Sequence, residues 1–236
     1  MNKRPVDLPM SLRERIGGLI YIPMHCLVLP LILELIDIYF DKISIDTAKL
    51  NLIIYAIGFV FCLLFMWKFL KKSFDNIFEK RVRFIRSILI GLGITYALGT
   101  VVSTIILTVV GFSDVLNPNS AEINALVADN FNSMSVTAVI FAPIIEECMF
   151  RGALFGSIRK KSRFWAYFAT IVVFAFYHLY AYFITDYSGE LWIYLLQYVP
   201  VTFAMCYIYE KTETIWCPIA LHALNNFLAL SLTKFM

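Results

Sequence analysis

The chain has 236 residues, of which 60% are hydrophobic and only 16% charged, with a net charge of +3 and a mean hydropathy of +0.75. That mix excludes an ordinary soluble domain, and the lack of a basic patch interleaved with aromatics excludes a nucleic-acid binder; what remains is an integral membrane protein. Cys26, Cys62, Cys148, Cys206 and Cys217 lie in or beside apolar segments without paired spacing, and read as small buried hydrophobes rather than a disulfide framework.

A spanning helix needs about 20 apolar residues. Taken in chain order, seven runs qualify: 16–38, 50–70, 86–110, 134–156, 164–184, 191–209 and 214–233. The first follows Lys3, Arg4, Arg13 and Arg15, but it is too long for a signal peptide and no small-residue cleavage site follows it, so it reads as a retained span. Pro23 and Pro30, with Glu34 and Asp37 in or near the run, predict that it is kinked or partly interfacial. The segment Lys68–Arg86 reads as a basic loop, a topology signal that contacts anionic lipid. Between the third and fourth spans, 111–133 predicts an outer loop with a short amphipathic helix capped by Ser120.

Orientation follows from lysine and arginine. The N-terminus, Lys68–Arg86 and Arg159–Arg163 are basic, whereas 39–49 is balanced and 111–133 and 185–190 carry acid without Lys or Arg. With seven spans the basic segments share one side, which places the N-terminus in the cytoplasm. The fold class is therefore an all-α, polytopic transmembrane helical bundle of about seven spans. It divides by content into 1–130, the N-terminal spans and outer loop, and 131–236, the motif-bearing spans of one integral membrane domain.

An ionisable residue at membrane depth costs at least ~2.5–3.5 kcal/mol, so it marks a functional site or a buried brace. Glu147 and Arg151 are four apart with the acid first, which suits an intrahelical ion pair. Glu146 points about 100° away and is left for chemistry. Of three histidines, His178 closes "FAFYH" with Phe174 one turn earlier, and His222 opens "HALNN" with Asn226 one turn later. Counting ~1.5 Å per residue from the basic ends, Glu146, His178, His222 and Asn226 fall within one layer roughly 10 Å thick, on a site expected to open toward the cytoplasmic half. His25, with no partner at a motif spacing, reads as a core histidine. The bland alternative for the charged cluster is a buried ion network that fixes packing, and for Asn226 an interhelical tie.

A buried glutamate can take a proton from water, a histidine can orient that water or protonate a leaving amine, and His and Asn can stabilise an oxyanion. Equally, Glu146, His178 and His222 could hold Zn2+ with water in an open position. HExxH, GxSG and GxGD are absent.

Glu146-Glu147-x-x-x-Arg151, Phe174-x-x-x-His178 and His222-x-x-x-Asn226, in that order on three successive helical regions, resemble the motifs of the CPBP family of type II CAAX-prenyl-protease and bacteriocin-processing (Abi) proteins. The resemblance covers the C-terminal ~100 residues and implies an intramembrane endopeptidase. Glu146 would activate water with help from His178, His222 and Asn226 would form the oxyanion hole or bind metal, and Glu147, Arg151 and Phe174 would support them. Its partners would be a peptide or membrane-protein substrate and the bilayer. Abundant Ile, Lys, Phe, Tyr and Asn point to an AT-rich bacterial genome and a multi-pass protein of the plasma membrane. Two other classes compete: a bacteriocin self-immunity or scaffold protein without turnover, and a transporter with a proton relay, against which stands the lack of repeat halves.

Overall fold

The computed structural model describes residues 10–40, 46–79, 81–111, 117–185 and 189–235, and among these there is no strand. Its α-helices are α1 (Leu12–Pro23), α2 (Leu29–Phe40), α3 (Thr47–Phe65), α4 (Trp67–Glu79), α5 (Arg81–Ile105), α6 (Pro118–Ser135), α7 (Ala142–Glu147), α8 (Gly156–Arg159), α9 (Arg163–Thr185), α10 (Leu191–Gln197), α11 (Val199–Thr212) and α12 (Trp216–Phe235). Among the described residues, six stretches are long and apolar enough to cross a membrane: Leu12–Ile36, Thr47–Phe65, Arg81–Thr108, Asn130–Arg159, Arg163–Thr185 and Leu191–Thr212. The chain is an all-α, polytopic membrane protein, as the apolar runs predict. The seventh expected span coincides with α12, made less apolar than the six by His222, Asn225 and Asn226.

Local chemistry explains most boundaries. Ser11 caps α1 through a capping box, its Oγ accepting from the Glu14 backbone N–H while Glu14 Oε2 accepts from that of Ser11. The remaining Glu14 oxygen accepts from the Phe69 N–H at 3.0 Å, which pins the start of α1 to α4. After Pro23 the first span passes through a π-helical turn, Met24–Val28, an irregularity of the kind that accompanies bends in helices. Asn117, not Ser120, caps α6: its Oδ1 accepts from the Ser120 N–H at 2.9 Å, with Pro118 at the first helical position. The backbone breaks at Asn130 (φ −132°, ψ 42°), so the part of α6 before it is the short outer helix expected from the sequence, and the part after it begins the fourth span.

The described residues of Lys68–Arg86 are helical and do not form a loop. Residues 67–79 form α4, because Met66, Phe69, Leu70 and Ser73 recur at helical spacing and are all buried, while Lys68, Lys71 and Lys72 face outward. The π-helical Cys148–Phe155 segment is approached closely by α1 at Gly18, where an added Cβ would stand 2.7 Å from Ala153 Cβ.

The two ends of the bundle differ. At one end lie Arg13 and Arg15, Lys68 to Lys72 of α4, Arg81 to Arg86, Arg159 to Arg163, and Lys211. Hydrogen bonds from Thr214 to the Ser73 carbonyl and from Trp216 Nε1 to the Leu70 carbonyl tie α12 to α4 there. Glu210 holds Arg159, Arg163 and Tyr167 together at the same end. Behind this basic layer the interior is filled by Met66, Phe69, Leu70, Phe155 and Tyr209, each at most 1–2% exposed. At the opposite end α6 lies across the helix termini. Asn117 donates to Gln197 at 2.7 Å, Thr233 to Asn124 at 3.0 Å, and Tyr182 to Glu122. Beneath α6 the bundle is hollow, with a cavity of about 690 Å³.

Candidate active site

The motif helix is a short α-helix between two π-helical segments. Val136–Phe141 precedes α7 and Cys148–Phe155 follows it, and α7 ends on Glu146 and Glu147. Such bulges re-aim side chains relative to a uniform helix. Here both glutamates are buried, Glu146 at 2% and Glu147 at 0% exposure.

Glu147 is the hub of a brace. Its Oε1 accepts from Arg151 NH1 at 2.9 Å, both side chains fully buried, as the spacing predicts. The same oxygen also lies 2.8 Å from His222 Nδ1, a link across 75 residues that the sequence does not announce. The Arg151 guanidinium sits 4.6 Å over the Phe174 ring, so Phe174 closes the brace from the fifth span. Its ring centroid is 4.5 Å from that of His178, and its carbonyl is 2.9 Å from His178 Nδ1.

These contacts fix how both imidazoles face the site. A carbonyl oxygen and an arginine-paired carboxylate only accept, so His178 and His222 each donate from Nδ1. Each Nε2 is thereby turned inward, carrying a lone pair where the ring is neutral, and both Nε2 atoms lie 3.8 Å from Glu146 Oε2. That oxygen is buried and has no hydrogen-bond partner. Its sister Oε1 accepts from Tyr55 OH at 3.2 Å, and Tyr55 OH stands 3.5 Å from Tyr177 OH. Glu146, His178 and His222 are therefore brought together around one gap at the inner end of the cavity.

The other sequence candidates fall nearby. Asn226 lines the cavity, but its Nδ2 donates to the Ala138 carbonyl at 2.8 Å, tying α12 to the π-helical segment ahead of α7. One amide hydrogen is left for a ligand. His25 lines the same cavity, its ring 4.7 Å edge-on from Tyr55 and 6.1 Å from Tyr177. Tyr55 and Tyr177 are the residues that sequence reasoning misses. Both stand in apolar spans among many lipid-facing aromatics, and the one signal is that Tyr177 adjoins His178. The expectation that the site opens toward the basic end is also overturned: that half is close-packed, and the cavity runs from Glu146 toward α6.

The donor chemistry, two imidazole nitrogens oriented by outer partners and one carboxylate oxygen, suits zinc. The spacing is less apt. Tetrahedral ligands at ~2.0–2.1 Å stand about 3.3 Å apart, against 3.8 Å here. Among the described residues no group of three His, Cys, Asp or Glu meets metal-binding spacing. A separation of 3.8 Å matches two groups that share one hydrogen-bonded water.

Comparison with known proteins points the same way as the motifs. A Bacillus subtilis protein named "Putative membrane peptidase YdiL" is 31% identical over 94 residues, 39% of this chain and 34% of the relative. A Lactococcus lactis protein, "UPF0177 protein YaiF", is 33% identical over 101 residues, 42% of this chain and 39% of the relative. The chain thus spans a little over a third of the length of the curated relatives it matches. No solved structure matches it. Residues 129–228, which hold every motif residue named above, match the model of the family described as Type II CAAX prenyl endopeptidase Rce1-like, and at the level of the family this bears out the resemblance read from the sequence.

Proposed function

We propose that the chain is an intramembrane endopeptidase of a bacterial plasma membrane, acting on a peptide or membrane protein. The observation that carries this reading is Glu146 Oε2, a buried carboxylate oxygen without a partner that faces two imidazole nitrogens across a water-sized gap. Three acceptors around one water, which has two protons, require one further proton in the cluster. We assign it to His222, whose ring is backed by the Glu147 carboxylate, whereas only a neutral carbonyl backs His178.

The reaction then divides as follows. His178 Nε2 and Glu146 Oε2 hold the water, and Glu146 takes its proton as the oxygen bonds to the peptide carbon. His222, with the free amide hydrogen of Asn226, donates to the developing oxyanion. The C–N bond breaks as Glu146 passes that proton to the leaving nitrogen, the water's second proton leaves the new carboxyl group through His178 Nε2 to complete the ammonium product, and the carboxylate departs with the water's oxygen. Tyr55 orients Glu146, while Glu147, Arg151 and Phe174 hold His222 and His178 in place.

Zinc held by Glu146, His178 and His222 would supply the missing positive charge and acidify the water in place of the extra proton. A bacteriocin-immunity or scaffold protein would keep the same cluster without turnover. One experiment separates the three: elemental analysis of the purified protein in detergent, alongside peptide cleavage, for the native chain, Glu146→Gln and His178→Ala. Cleavage without metal, lost in both variants, is the expected result. Near-stoichiometric zinc lost in both variants makes it a metallopeptidase, and a folded native chain that cleaves neither peptides nor membrane proteins returns the non-enzymatic reading.

A further inference from the structure

Two observations, neither of them part of the chemistry above, fix the side from which the site is reached. The first is the distribution of charge over the folded molecule. The basic segments converge on one end of the bundle, where α4, the start of α5, the α8–α9 turn and the end of α11 lie together. At the other end the described lysines and arginines are Lys49 and Lys234. Lysine and arginine are retained on the cytoplasmic side during insertion, so the basic end is cytoplasmic and the end covered by α6 faces outward.

The second is where the empty space lies. On the basic side of Glu146 the interior is filled by Met149, Phe150, Phe155, Met66 and Phe69, all essentially without exposure. Native-like packing of that density leaves no path for a polypeptide. On the other side the cavity of about 690 Å³ continues to Asn51, Asn119, Glu122, Asn124 and Thr233. These come from α3, α6 and α12 at their outward-facing ends. Three amides, a hydroxyl and the Glu122 carboxylate at a mouth offer donors and acceptors to an extended backbone, where a groove for a lipid chain would be apolar throughout.

We infer that the site is entered from the extracytoplasmic face, so that its substrate is a polypeptide segment already carried across the membrane: part of a secreted or membrane-anchored protein, and not a cytosolic chain terminus. What happens to the segment rests on the proposed function. The side of access does not, since it follows from packing and charge alone.

The test needs no turnover. Glu122→Cys at the mouth and Lys160→Cys at the basic end are each expressed, and intact cells are treated with a membrane-impermeant maleimide. Thr233→Cys, on a different helix, repeats the mouth position should the change on α6 disturb folding. Mouth cysteines that label in intact cells, with Lys160→Cys labelling only after permeabilisation, are the expected result. Labelling of Lys160→Cys in intact cells, with both mouth positions silent until permeabilisation, overturns the inference while leaving the peptidase reading untouched.

Discussion

The Nδ1 of His222 lies 2.8 Å from Glu147 Oε1, the same oxygen that Arg151 holds at 2.9 Å. One carboxylate thus joins the ion pair that braces the motif helix to the imidazole that faces the reacting gap. In the proposed reaction the two adjacent glutamates divide the work, Glu147 for architecture and Glu146 for chemistry.

Arg151→Ala leaves Glu147 buried with only an imidazole beside it. Breaking one partner of a buried pair costs about 3–5 kcal/mol, and the lost contact with the Phe174 ring adds to it. The expected outcome is a sharp fall in folded yield and in melting temperature in detergent. Unchanged melting would show that the pair does not hold the helix.

Tyr55→Phe removes the hydrogen bond to Glu146 Oε1 with little change in volume. Hydrogen bonds to charged groups are worth about 1.5–3 kcal/mol, which converts to a fall in kcat on the order of ten-fold or more. Because Tyr55 acts through Glu146, KM should stay near its native value. A rise in KM with kcat intact would move Tyr55 from positioning the base to binding substrate.

Asn226→Ala distinguishes two roles. The amide donates to the Ala138 carbonyl, and leaving that group unpaired in the interior costs about 1–3 kcal/mol. Lower melting together with lower turnover is expected, since the proposed reaction uses the remaining amide hydrogen for the oxyanion. Lost turnover with melting unchanged would make the residue purely catalytic, and lost melting with turnover intact purely structural.

Gly18→Val forces a side chain into the crossing of α1 with the Cys148–Phe155 segment, where the Cβ alone would meet Ala153 Cβ at 2.7 Å. Overpacking of this kind costs about 1–3 kcal/mol. Gly17→Val, whose Cβ would meet Phe65 at an ordinary 3.8 Å, serves as the control. Melting temperature should drop for the first and hold for the second, and equal melting of the two would mean that α1 does not pack there as described.

The elements that apolar length and helical spacing encode were legible in the sequence. The long apolar runs became helices, and the Glu147–Arg151 spacing became the pair it suggests. What failed depends on contacts between distant segments or on competing signals. The α4 helix was hidden because its lysines and arginines outweigh the spacing of Met66, Phe69, Leu70 and Ser73. Tyr55 reaches Glu146 across 91 residues, and no local pattern distinguishes it from a tyrosine in contact with lipid. The cavity's direction follows from which side chains fill the opposite half, a property of packing that spacing does not encode.

The most direct test of the account is the rate of peptide cleavage by purified Glu146→Gln beside the native protein, with melting measured on both. Glutamine keeps the shape and loses the ability to take a proton, and general-base catalysis contributes roughly 10²–10⁴-fold. A loss of that size with melting unchanged is the predicted result. A folded Glu146→Gln that cleaves at the native rate would contradict the central claim that Glu146 activates the water.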